Sequence, residues 1–204
     1  SFSDGIYLYS SSNNTLTGNN ASSNSNYGTY LEYSSNNSLT NNTASNNYVG
    51  IRLEYSSNNS LTGNTASNNG YYGIVLEDVS NNTVYHNNFI DNTEQVGLFV
   101  FYELFNNTWD DGYPSGGNYW SDYTGVDLYS GPYQNETGSD GIGDAPYVID
   151  ANNVDLYPFM QESGWLIGNT PVGTNVVSTD HVTGTSVTFG EVTSSGNMVV
   201  TTST

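Results

Sequence analysis

The chain contains no cysteine, and its 204 residues include a single cation, Arg52, against 20 acidic groups. The first absence removes disulfides and thiolate ligands and leaves the redox compartment unread. The second, with a formal charge of −19, leaves no basic patch to meet phosphates, so nucleic acid and anionic membrane surfaces are not expected partners. No apolar run approaches the roughly 20 residues that cross a bilayer, so no membrane insertion is expected in this segment. No signal peptide opens the chain, as expected of a processed or excised piece of a longer precursor. Charged residues make up only 10% of the composition, so amides, hydroxyls and 18 tyrosines must carry most of the surface.

What the chain does have is a repeat. GIYLYSSSNNTLTGNNAS returns as GTYLEYSSNNSLTNNTAS, GIRLEYSSNNSLTGNTAS and GIVLEDVSNNTVYHNNFI, with copies starting at Gly5, Gly28, Gly50 and Gly73. A degenerate fifth copy, GLFVFYELFNNTW, starts at Gly97, giving spacings of 23, 22, 23 and 24 residues. That period suits one coil of a solenoid. Apolar residues alternate in short period-2 pairs and never follow a helical period, which disfavours a helix-bearing leucine-rich repeat. The ladders expected to point inward are Ile6, Thr29, Ile51, Ile74 and Leu98; Leu8, Leu31, Leu53, Leu76 and Val100; Leu16, Leu39, Leu61, Val84 and Trp109; and Ala21, Ala44, Ala66 and Phe89. Three short strands per coil imply an all-β fold, a right-handed parallel β-helix of about five coils of 22–24 residues, with rungs about 4.8 Å apart. Asn14, Asn37, Asn59 and Asn82, and likewise Asn19, Asn42, Asn64 and Asn87, should stack as amide ladders in which each side-chain NH₂ donates to the next coil.

With these residues in view, positions 5–160 resemble the NosD-like β-helix repeats of secreted surface proteins of methanogenic archaea, whose coils read G-I-x-L-x-x-S-x-N-N-x-L-x-x-N. WDDGYPSGGNYWSDYTG at 109–125, DGIGDAPYVID at 140–150 and NVDLYPFM at 153–160 are similar to the region that closes such helices. The resemblance implies an extracellular or cell-surface location. Its members named for copper delivery to nitrous oxide reductase imply a metal role, which this chain would have to meet with His86, His181, two methionines and no cysteine.

The closing region gathers acids among glycines. Hard oxygen ligands on such loops suit a structural calcium, with Asp122, Asp127, Asp140 and Asp144 as candidate ligands; the other reading is that these carboxylates cap turns. Trp109, Tyr113, Tyr119, Trp120, Tyr123 and Tyr147 are expected to cover the last coil. Glu32, Glu54 and Glu77 recur at one coil position, as a stripe offset by Arg52 or as a glycosidase-type carboxylate pair. With no lysine, lyase chemistry has almost no candidates. Asn13, Asn20, Asn36, Asn41, Asn58, Asn81, Asn106 and Asn135 head N-x-[ST] sequons, five of them at one coil position, and are candidate glycosylation sites. Alternatively, an Asn-Asn-Ser/Thr turn creates them incidentally.

The organisation expected is coils over 1–109, an acidic, aromatic-rich and loop-rich cap over 110–160, a linker over 161–175, and a short β-strand tail over 176–204 whose Val/Thr strands belong to an incomplete or intermolecular β-sandwich. The first coil, with no cap before it, exposes a strand edge. The function these features favour is a non-catalytic structural or adhesive subunit of an extracellular assembly such as a filament, sheath or surface layer, its partners being copies of itself and surface glycans. The competing reading is a carbohydrate-binding or carbohydrate-active β-helix using Tyr7, Tyr30 and the glutamate stripe.

Overall fold

The computed structural model describes residues 3–101 and 106–166, and, beyond them, the backbone of the strands Gly168–Thr170, Gly173–Thr179, Ser186–Val192 and Gly196–Met198. The fold is an all-β parallel solenoid. A long sheet stacks Ile6–Tyr9, Tyr27–Glu32, Val49–Glu54, Tyr72–Glu77 and Glu94–Phe99 in chain order, all parallel. A second side stacks Thr15–Thr17, Ser38–Thr40, Ser60–Thr62 and Thr83–Val84. A third stacks Thr43–Ser45, Thr65–Ser67, Asn88–Ile90 and Tyr119–Trp120. The five long strands enclose about four full turns.

Alternation sends one face of every strand into the bore. Leu31, Leu53 and Leu76 are registered neighbours on the long side, Leu39 and Leu61 on the second, and Ala44 and Ala66 on the third, all buried. Small alanines on the third side leave room for leucines from the other two. Where Ala gives way to Phe89, the next rung is Trp120, stacked on it at 4.6 Å, with Trp109 beside it at 5.9 Å. These two tryptophans are core rungs, not only a cover.

The degenerate coil corrects the expected register. Val96 lies against Ile74 and Leu98 against Leu76, so Leu98 occupies the second ladder and Val100 is exposed. Gln95, not Gly97, takes the place of Gly73. A slip of two residues keeps every side chain on its own face, so alternation could not detect it. Gly97 is a glycine for another reason: a Cβ there would meet the Tyr72 and Phe99 rings at 3.0 and 3.1 Å.

Both expected amide ladders form, and a third runs through Asn24, Asn47, Asn69 and Asn92. Asn64 shows the rule. Its Nδ2 donates to Leu39 O (2.8 Å) and Asn87 Oδ1 (2.9 Å), while its own Oδ1 accepts from Asn42 N and Nδ2 (both 3.0 Å). Two donors and two lone pairs are all engaged, which is the full capacity of an amide. The third ladder also explains the coil-opening glycines, since a Cβ at Gly50 would lie 2.5 Å from Gly73 O and 2.7 Å from Asn69 Nδ2.

The stretch 161–175 holds a short 3₁₀ turn at Gly164–Leu166, the strand Gly168–Thr170 and the start of Gly173–Thr179. The tail strands find partners within the chain, Gly173–Thr179 pairing antiparallel with Ser186–Val192 and Gly168–Thr170 with Gly196–Met198. Residues 199–204 lie outside the described residues.

Substitution of Asn64 by Ala should orphan two buried donors of Asn42 and the Leu39 carbonyl, costing about 3 kcal/mol or more. Asn58→Gly, at an exposed left-handed turn position with φ 58°, should change stability by only a few tenths. Urea unfolding of both variants checks the contrast; equal losses would mean that the ladder does not hold the coils.

Candidate functional site

The outward face of the long sheet carries the glutamate stripe. Strand register places Glu32, Glu54 and Glu77 side by side in successive coils. Each is engaged by a side chain from the stripe's own surroundings. Tyr7 donates its hydroxyl to Glu32 across the coil boundary, and Tyr30 donates to Glu54 at 2.5 Å. Arg52 donates to Glu54 through Nε (3.2 Å) and Nη2 (3.0 Å), and to Glu77 through Nη2 (2.5 Å). The guanidinium also lies 5.3 Å from the Tyr27 ring centre and 5.6 Å from that of Tyr30, where the ring quadrupole attracts a cation. The one cation of the chain is thus placed between two carboxylates and two aromatic faces. The hydrogen bond to Glu32 pushes the Tyr7 hydroxyl up to about 12. Burial, then the bond to Glu54, raises that of Tyr30, and burial raises the Glu77 carboxyl against the pull of Arg52.

The surface tyrosines are arranged as pairs between coils. Tyr7 stacks on Tyr30 at 4.9 Å, Tyr33 on Tyr55 at 5.0 Å, and Tyr48 on Tyr71 at 5.5 Å. A ring stacked on its neighbour gives one face to that neighbour and does not offer the open platform that a sugar ring would need.

The four aspartates read as calcium ligands are each tied to local groups. Asp127 accepts from Asp140 N and Gly141 N, and Asp144 from Leu128 N and Tyr129 N. Asp140 accepts from Gly131 N, Gln134 Nε2 and Ile142 N, and Asp122 from the Tyr147 hydroxyl. Among the described residues no three His, Cys, Asp or Glu side chains are gathered where they could hold a metal ion. Burial raises Asp127 and Asp140 above the usual carboxylate range.

A carboxylate that sequence reasoning did not single out, Asp155, is the most enclosed of all. It is fully buried and accepts from Asn118 N (2.7 Å), Trp120 Nε1 (2.9 Å) and Tyr157 N (3.1 Å). Asn118 is the last rung of the ladder Asn19–Asn42–Asn64–Asn87, so that ladder ends on the carboxyl group of Asp155. Its sequence signal was only a lone Asp in the segment NVDLY, with nothing to show that 37 residues separate it from its partner.

All eight sequon asparagines lie on the surface. Asn13, Asn36, Asn58 and Asn81 hold left-handed φ values of 57–62° at one corner of successive coils. His86 occupies the equivalent of Gly63, with φ 57°; its Nε2 lies 2.8 Å from Ser115 O, and its ring is stacked on Trp165. His181 lies outside the described residues.

The family described as periplasmic copper-binding protein (NosD) matches residues 1–125. No curated protein and no solved structure matches the chain. Copper would call for thiolate, thioether or several imidazole donors. The chain has no cysteine, His86 is hydrogen-bonded to Ser115 and stacked on Trp165, and no three His, Cys, Asp or Glu side chains are gathered among the described residues. The described residues do not fit a copper centre.

The buried carboxylates set a pH dependence. Burial pushes Asp155 up to about 7 against the pull of its donors, whereas the unfolded chain titrates near about 4. The folded state therefore holds the extra proton between these values; the associated stability is complete below about pH 4 and is lost as pH rises through about 7. Unfolding free energy should fall over that window by at most about 1.4 kcal/mol per pH unit for this group, and melting temperature should fall with it. Asp155→Asn should flatten the dependence, and a calorimetric pH series with the same slope in both proteins would remove Asp155 as its source.

Proposed function

The chain belongs to the NosD family, and on that premise we propose that it is a non-catalytic structural or adhesive β-helix acting outside the cytoplasm, a rigid spacer in an assembly of its own copies such as a filament, sheath or surface layer. The observation that carries this reading is the use of the long face. Glu32, Glu54 and Glu77, the groups a hydrolase would employ, are bonded to Tyr7, Tyr30 and Arg52 in a brace that joins adjacent coils. A general acid or nucleophile needs an approach path and a matched partner, and a coil-to-coil brace serves rigidity instead. The family's description is periplasmic, and no helix among the described residues is long and apolar enough to cross a membrane; both agree with an extracytoplasmic setting. Self-association is assigned to the tail, whose strands pair two by two among the described residues, because main-chain hydrogen bonds at a sheet edge can add a strand from another copy.

Hydrolysis assays and glycan arrays should give no signal with the full chain. Glycan turnover abolished by Glu54→Gln would replace this reading with a carbohydrate-active one. Electron microscopy should show ordered polymers of the full chain, and a chain ending at Leu166 should keep the β-helix circular dichroism yet fail to polymerise. Identical polymers from the shortened chain would move the contact onto the coils.

A further inference from the structure

We propose that Tyr33 and Tyr55 form an oxidative cross-linking site, at which a one-electron oxidant generated from peroxide joins their rings as a dityrosine bridge between adjacent coils. The two residues follow registered partners, Glu32 and Glu54, in neighbouring strands. Their backbones are held by bonds to the next coil, Tyr33 N to Glu54 O at 3.1 Å and Tyr55 N to Glu77 O at 3.0 Å. Both sit in the left-handed region, at φ 49° and 47°, which turns the side chains out at the corner of the coil. The rings are 5.0 Å apart and within 10° of parallel, and the residues are 50% and 36% exposed. An oxidant therefore reaches both, and a radical formed on either ring meets its partner without diffusion, at the high effective concentration that fixed geometry provides. Tyr9 lies edge-on to Tyr33 at 6.0 Å and Tyr7 lies 6.1 Å beyond it, so the pair adjoins further oxidisable rings.

The other stacked pairs are less suited. In the pair of Tyr7 and Tyr30, Tyr30 is less exposed than either Tyr33 or Tyr55, and Tyr48 and Tyr71 are farther apart and more inclined, at 5.5 Å and 23°. In a chain without cysteine, this is the position where a covalent link between coils would form. The reaction balances with one peroxide. Each phenol loses an electron and its hydroxyl proton, the two radicals join through ring carbons ortho to oxygen, and the ortho protons then leave carbon as the hydroxyls re-form. One C–C bond forms and two C–H bonds break, while the peroxide O–O bond is reduced to two waters.

The test treats the dilute full chain with a peroxidase and hydrogen peroxide. The expected product is a monomer on a denaturing gel, lighter by two hydrogen atoms and fluorescent as dityrosine, with peptides 33–54 and 55–77 linked after cleavage at glutamate and fragment-ion spectra placing the bridge on Tyr33 and Tyr55, not on Tyr48 and Tyr71. Its melting temperature should rise, because the bridge closes a loop in the unfolded chain. Tyr33→Phe and Tyr55→Phe, which keep the ring and its packing, should lower the yield of intramolecular bridge about tenfold or more. Tyr133→Phe, at a residue 84% exposed, should leave the yield unchanged. A bridge that maps to other tyrosines, an undiminished yield in the two Phe variants, or a product found only between chains would each overturn the proposal.

Discussion

The structure depends on one hydrogen bond, repeated: an asparagine side chain that donates to the asparagine amide of the following coil. Strand pairing alone permits neighbouring coils to slide, because a parallel ladder of backbone groups is nearly indifferent to a two-residue shift. A buried amide is not indifferent. Moving Asn64 out of line would leave N–H and Nδ2–H of Asn42 without the acceptor they share and Oδ1 of Asn87 without its donors, each buried group left unsatisfied costing about 1–3 kcal/mol. Three such columns, one at each corner of the coil, set the register that lets Leu31, Leu53 and Leu76 lie above one another. Hydrophobic packing fills the bore, and the amides decide which residues meet there.

This arrangement also suits a chain with so few cations. Twenty carboxylates cannot be paired by one guanidinium, so the fold relies on neutral donors. Arg52 serves Glu54 and Glu77, tyrosine hydroxyls serve Glu32 and Glu54, and in the cap Asp127 and Asp144 are met by backbone N–H groups. The cap carboxylates are consequently short of counter-charge, and burial moves Asp127, Asp140 and Asp155 toward the neutral form.

Most of the solenoid was legible because its constraints repeat. Ile6 to Ile74, Leu8 to Leu76 and the first two asparagine columns recur at fixed offsets, and each recurrence is an independent statement of the same geometry. The third column was equally periodic, at three residues after Ala21, Ala44, Ala66 and Phe89, but it lies among other asparagines and serines that mask it. Legibility fails where repetition stops. The true partner of Gly73 is Gln95, whose Oε1 accepts from Asn92 and so takes over the role of an asparagine rung; a longer amide replaces a glycine-led pattern and leaves no periodic mark. The cap is held by pairs such as Asn118 with Asp155 and Trp109 with Asn153, each occurring once, so nothing in composition singles them out.

The ladders have a direction, and that direction accounts for how the β-helix ends. In each column the Nδ2–H that meets the next amide points toward the higher-numbered coil, while the other turns back to a carbonyl of the coil below in rungs such as Asn42, Asn47 and Asn64, so the amide-to-amide bonds run one way along the column, as peptide N–H groups do along a helix. The positive end of each column arrives at the cap, where the next acceptor cannot be another identical rung. One column ends on Asp155. Another reaches Asn107, whose N–H continues to Asn153, itself donating to Asp150. The third passes from Asn92 to Gln95 and on to Ser121. Two of the three columns thus finish at a carboxylate, the group best able to accept from a column of aligned donors. Asp155 and Asp150 are therefore placed by the polarity of the coils beneath them, whereas Asp127, Asp140 and Asp144 accept from backbone N–H groups of the cap itself.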